Sequence, residues 1–187
     1  MGHPAMSHPA ILRLGQVLEA PPTGGDRVDW DVLFEESGLR LPEDYRAFVE
    51  VYGGGEIDEY LSVSTPPVTE SAYGDLLDGL NPSLRPADLE FLAGHFAGSA
   101  TPEVLAFGGT ASGDAVFWLC TDTDPDKWSV AAFRRQSPYG TVPWTVFSGG
   151  MVEFLLAVLG GNLQPFSDRS LAQGPHEFLG WRAMRGF

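Results

Sequence analysis

The stretch from Leu41 to Gly55 constrains this chain more than any other. Leu41, Tyr45, Phe48, Val49 and Tyr52 recur at i, i+4, i+7, i+8 and i+11, the spacing of an apolar stripe along one side of an α-helix. Pro42 suits the first helical position, and Glu43 and Asp44 complement the positive end of the helix dipole. Gly53-Gly54-Gly55 follows at once and ends the helix. Beyond it, Ile57, Tyr60, Leu61 and Val63 read as a short strand closed by Pro66-Pro67. The chain switches from helix to sheet here, which places it among mixed folds.

The remaining elements follow from the same signals. Trp30, Leu33 and Phe34 at i, i+3 and i+4 predict a helix over about 29–37, capped by Asp26 or Asp29 and stopped by Gly38 in the left-handed conformation. It is expected to form a hairpin with the helix that starts near Leu41. Residues 69–97 read as mostly helical, in two pieces split near Asn81-Pro82 and lying over the sheet. Val104 to Phe107, Ala115 to Cys120, Ser129 to Phe133 and Val142 to Phe147 read as strands of an antiparallel meander. Ser148 is expected to cap an apolar helix over 149–159 that ends at Gly160-Gly161. The fold class is therefore α+β, with helices packed on a mostly antiparallel sheet. Residues 1–25 are expected to be a partly flexible N-terminal arm, 26–161 the domain, and 162–187 a C-terminal extension.

Composition narrows the function. Hydrophobic residues make up 43% and charged ones 19%, so the chain has enough apolar surface for a core. Asp and Glu total 25 against 11 Lys and Arg, a formal charge of −14. Such a field repels phosphates, which argues against nucleic acid or an anionic membrane as partner. The single Cys120 cannot form an internal disulfide. The N-terminus lacks a basic region followed by an apolar run, and Met151 to Leu159 is too short to span a bilayer. Cytoplasmic residence is the expectation.

The motifs that would carry chemistry all fail at the deciding residue. Gly108 to Gly113 has the spacing of a phosphate-binding loop, but Asp114 stands where Lys must meet phosphate. Gly53-Gly54-Gly55 follows a helix rather than a strand, unlike a dinucleotide fingerprint. Asp122-Thr123-Asp124-Pro125-Asp126 opens like a calcium loop, yet Lys127 and Phe133 occupy the slots that need Gly and Glu. His176-Glu177 lacks the second His of a zinc-protease helix, and the His-Pro-Ala tracts at 3–5 and 8–10 read as a lead-in rather than a metal site. Cys120 ends a strand expected to be buried, and His95 sits at a helix end. No cofactor, metal or catalytic residue is expected; Asp58 beside Glu59 is one chance pair among many carboxylates.

The charge is segmental. Residues 53–90 hold eight carboxylates and one Arg, whereas 128–187 hold five Arg and three carboxylates. A patch of this sign speeds the encounter with a basic protein. Glu56, Asp58, Glu59, Asp75 and Asp78 are the first candidates for partner contact, with Asp122, Asp124 and Asp126 as second.

Five stretches together resemble the SUKH superfamily of SMI/KNR-type cell-wall assembly regulators and bacterial immunity proteins. They are Val28-Asp29-Trp30; Leu41-Pro42-Glu43-Asp44-Tyr45-Arg46-Ala47-Phe48; Tyr52-Gly53-Gly54-Gly55-Glu56-Ile57; the hairpin from Phe107-Gly108-Gly109 through Gly113-Asp114 to Phe117-Trp118; and Trp144 followed by Met151-Val152-Glu153-Phe154-Leu155. The resemblance covers roughly 28–160. It implies a single SUKH-like domain with a sheet of about six strands and a binding scaffold without catalytic residues. Trp30, Tyr45, Phe48 and Phe154 are expected in the core, and Gly53 to Gly55 are expected to supply backbone angles closed to other residues.

Resemblance and charge together predict a non-enzymatic immunity protein that neutralises a basic toxin domain, commonly a nuclease in this superfamily, by occluding its active face. The alternative is a regulatory or scaffold module with a non-toxin protein partner. The partner's identity and the oligomeric state are left open.

Overall fold

Alternation along β4 shows how the molecule is layered. Val116 and Trp118 point to one side of the sheet, Phe117 and Leu119 to the other, and all four are buried. Both faces are therefore covered, and the core has two parts. In the computed structural model, which describes residues 8–96, 102–168, 170–172 and 174–186, the sheet has seven strands in the order β6-β5-β4-β3-β2-β1-β7, with every neighbouring pair antiparallel. They are β1 (Gly55–Ile57), β2 (Leu61–Val63), β3 (Val104–Thr110), β4 (Ala115–Leu119), β5 (Ser129–Phe133), β6 (Trp144–Phe147) and β7 (Phe178–Gly180). The helices are α1 (Pro9–Leu14), α2 (Trp30–Ser37), α3 (Glu43–Val51), α4 (Pro86–Ala93), α5 (Met151–Leu159) and α6 (Trp181–Met184). The α+β class holds, with one strand more than about six. The tract at 3–5 lies outside the described residues.

The larger core lies under α1, α3 and α5. Tyr45 and Phe48 of α3 and Phe154 of α5 meet Leu105, Phe107, Val116 and Trp118 of the sheet. Tyr45 stands edge-on to Trp118 at 4.8 Å, and its hydroxyl donates to Ser64 O at 2.7 Å. Burying each such side chain contributes about 1.5–3 kcal/mol. On the opposite face α4 sets Leu92 over Val104, Phe117, Leu119 and Ala131. Trp144 lies on that face too, and its indole donates to Asp88 of α4 at 2.9 Å. Arg85 holds the same carboxylate through Nε at 2.8 Å and Nη2 at 2.9 Å. The Arg85 guanidinium accordingly holds Asp88 below the usual carboxylate range.

Several local readings are corrected. Gly53 does adopt a left-handed angle, φ 74°, but Gly54 and Gly55 are needed for close approach instead. A Cβ at Gly54 would lie 2.6 Å from Tyr73 Cβ, and one at Gly55 would lie 2.4 Å from Leu179 O. Helix α5 is capped by Asp44, whose Oδ2 accepts from Val152 N at 2.9 Å, and not by Ser148. Residues 69–96 are far less helical than their apolar spacing suggests: a 3₁₀ turn at Leu76–Gly79 and α4 suffice. Pro82 and Pro86 break the run. Helix α2 is capped by Asp29 Oδ1, which accepts from Val32 N at 3.1 Å, and ends at Gly38 with φ 71°. It meets α3 through half-buried Trp30, which stands edge-on to Tyr45 at 6.4 Å.

Both ends of the described chain are built into the fold. Ala10, Ile11 and Leu14 of α1 are buried, and Tyr52 Oη donates to Leu18 O at 2.6 Å. At the other end β7 pairs with β1, and Phe178 packs edge-on to Phe48 at 5.8 Å and Tyr52 at 5.3 Å. The apolar residues of this segment lack a period because pairing with β1, not propensity, makes it a strand.

Among the described residues no helix is long and apolar enough to cross a membrane, and no group of His, Cys, Asp and Glu could hold a metal ion.

Candidate protein-interaction site

The acidic turn 122–126 is held rigidly. Asp122 Oδ1 accepts from Asp124 N at 2.9 Å and Asp124 Oδ1 from Asp126 N at 3.1 Å, the self-bonding that short carboxylate side chains make in turns. Trp128 donates its indole N–H to Asp122 O at 2.7 Å. Asp126 Oδ1 accepts from Glu43 N at 2.6 Å. Pro42 stands at the N-cap of α3 and supplies no side-chain bond there, so Asp126 takes over the capping of a helix far away in sequence and sits at its positive end.

That contact brings the turn against α2 and α3 and leaves a cleft between them. The cleft has a volume of about 340 Å³ and is lined by Trp30, Phe34, Leu41, Arg40 and Arg46 on one side and by Asp124 and Asp126 on the other. It continues past Phe34 and Arg40 into a shallower groove that reaches Glu103, Cys120 and Trp128. The Arg40 guanidinium lies 4.0 Å over the Phe34 ring, and that of Arg46 lies 5.3 Å over Trp30. Lys127 stands 3.6 Å from Asp124 and 3.8 Å from Asp122, and ion pairs this exposed are weak. Asp122 and Asp124 therefore remain available to a stronger cation. Burial pushes the Cys120 thiol up to about 12, with the Glu103 carboxylate adding to the effect, which disfavours the reactive thiolate.

The five first-choice acids are dispersed by the topology. Glu56 lies on β1 and accepts from Tyr73 Oη at 2.8 Å. Asp58 and Glu59 form the next turn with left-handed φ of 54° and 52°, closed by Tyr60 N donating to Ile57 O at 3.0 Å. Asp58 is largely buried and committed to the fold: Oδ1 accepts from Glu177 N at 2.9 Å, and Oδ2 lies 2.8 Å from His176 Nδ1. Glu59 is exposed. Asp75 and Asp78 are exposed at the 3₁₀ turn, and Leu80, which follows the turn, bridges to Leu105 of β3. The structure gathers Asp122, Asp124 and Asp126 instead.

Sequence reasoning missed Phe34, Arg40 and Arg46 as cleft residues and placed Trp30 in the core. The available signal was two Arg residues close to the aromatic residues of this stretch, Arg40 in the connection between α2 and α3 and Arg46 on α3. Comparison with known proteins returns no match: no family model, no curated protein and no solved structure matches this chain.

Proposed function

We propose that this chain is a non-enzymatic, cytoplasmic protein-binding module of the immunity type, which neutralises a basic toxin domain by covering its active face. The observation that carries the reading is the pairing of a rigid three-carboxylate turn with an aromatic-walled cleft. Asp122 and Asp124 attract a lysine or arginine of the partner, and the cleft admits a side chain beside them. The net charge of −14 supports this choice of partner, because a field of that sign speeds the approach of a basic protein. A nuclease domain fits, since its substrate-binding face must itself be basic. The resemblance to SUKH immunity proteins points the same way.

The test is capture from lysate of the source organism with the tagged chain, washed across a salt series, followed by binding of the purified partner to two triple variants. Asp122→Asn/Asp124→Asn/Asp126→Asn keeps the oxygen acceptors that hold the turn and removes its charge. Glu56→Gln/Asp75→Asn/Asp78→Asn is the control. A basic partner that is toxic when expressed alone and loses affinity for the first variant supports the proposal. A non-toxic partner would instead favour the regulatory SMI/KNR-type reading.

A further inference from the structure

We propose that the outer edge of β6 is the surface on which a second copy of this chain pairs, strand to strand, about a two-fold axis at Thr145. Three independent observations meet there. First, β6 ends the sheet, and among the described residues no element pairs with its far side. Arg134 N donates to Pro143 O at 2.8 Å, which sets the phase of the ladder: residues 143, 145 and 147 turn their backbone groups toward β5. The N–H and C=O groups of Trp144 and Val146 therefore face outward, an open template for another strand.

Second, the edge lacks the charges that usually guard such a template. Residues 136–152 contain no Asp, Glu, Lys or Arg, the longest such run in the chain. Third, the two most exposed large apolar side chains of the described residues, Tyr139 at 107% and Val142 at 63%, stand in the loop that leads into this strand.

Electrostatics selects the occupant. A basic partner is drawn to the acidic turn and gains nothing from a neutral edge. A second copy also carries −14, and the charge-free run 136–152 lets two such chains meet at this edge without setting carboxylate against carboxylate. Antiparallel pairing about Thr145 sets Trp144 opposite Val146 of the second copy, and each such pair exchanges both of its backbone bonds. The two Thr145 residues then face each other as a non-hydrogen-bonded pair, with Cα atoms about 4.5 Å apart and favourable side-chain contact. The strand-edge geometry uses none of the cleft residues, so the dimer and the toxin-binding proposal can fail separately.

Sedimentation of the full chain across a concentration series tests it, together with cross-linking of Thr145→Cys in a Cys120→Ala background. The expected result is a dimer of the 20.2 kDa chain and rapid disulfide formation at position 145. A control Thr123→Cys, exposed on the acidic turn, should not cross-link. Val146→Pro removes an outward donor without touching the β5 ladder and should weaken the dimer about tenfold or more. Amide exchange reads the same edge without any substitution: the Trp144 and Val146 amides should gain protection as concentration rises. A monomer at every concentration overturns the proposal. So does a dimer that neither cross-links at 145 nor protects these amides, or protection that appears only when a different protein is added, which would assign the edge to that protein's strand.

Discussion

Asp26 and Trp181 lie at opposite ends of the described chain and meet inside the core, where the indole Nε1 donates to the carboxylate Oδ1 at 2.9 Å. Arg182 Nη1 reaches the same oxygen at 2.8 Å, and Gly54 N donates to Oδ2 at 2.8 Å. Asp26 is fully buried. One carboxylate thus ties the loop before α2, the glycine run after α3 and the last helix into a single unit. Asp26→Ala leaves these donors without a partner and should cost about 3–5 kcal/mol. Trp181→Phe removes one donor and should cost about 1–3 kcal/mol. Denaturant titration checks both: the midpoint should fall while the slope is unchanged.

Gly55→Ala tests how closely β7 rides on β1. The added methyl would stand 2.4 Å from Leu179 O, so the strands must part, at a cost of about 1–3 kcal/mol. Amides of 178–180 should then exchange faster than those of β4. Equal protection in variant and parent would show that β7 is held by something other than this pairing.

The fold should be acid-sensitive, with opposing contributions. Burial alone would raise Asp114, but hydrogen bonds from Ser167, Arg135 and Thr110 outweigh it and hold the carboxyl below its ordinary value; Asp88 is lowered likewise, chiefly by Arg85. The unfolded chain takes up these two protons first, so stability is lost as the pH falls below about 4 and through the lower folded values. Asp44 acts oppositely: burial raises it, so the folded chain protonates it first and gains stability between that raised value and about 4. Calorimetric melting across an acid series should show a shallow gain followed by a steep loss. Asp114→Asn should soften the loss and Asp44→Asn should remove the gain.

Cys120 should be nearly inert to thiol reagents. With the thiol pushed up to about 12, its thiolate at about pH 8 is on the order of a thousandfold scarcer than that of a free cysteine. Ellman's reagent should react slowly with the native chain and fast after unfolding; equal rates would contradict the burial of this side chain.

The parts of the fold legible in the sequence are those that carry their own period. Helix α3 shows its stripe from Leu41 to Tyr52, and β3 to β5 appear as short apolar runs between Gly- and Asp-rich turns. Strand β7 was not legible, because Phe178-Leu179-Gly180 becomes a strand only by lying against Gly55 to Ile57. The caps that Asp44 and Asp126 provide are long-range and leave no local signature. The same reason hid the site. The acidic turn is plain in the sequence, but the cleft beside it exists only because Asp126 docks onto the first turn of α3 and brings Trp30, Phe34, Arg40 and Arg46 into reach.

Growth rescue tests the central claim most directly. Cells expressing the captured basic partner would receive the wild-type chain, the Asp122→Asn/Asp124→Asn/Asp126→Asn variant or the Glu56→Gln/Asp75→Asn/Asp78→Asn control, each first shown to be folded. The account predicts that the partner alone stops growth, that the wild type and the control restore it, and that the turn variant does not. Restoration by the turn variant equal to that of the wild type, or a partner harmless on its own, would contradict it.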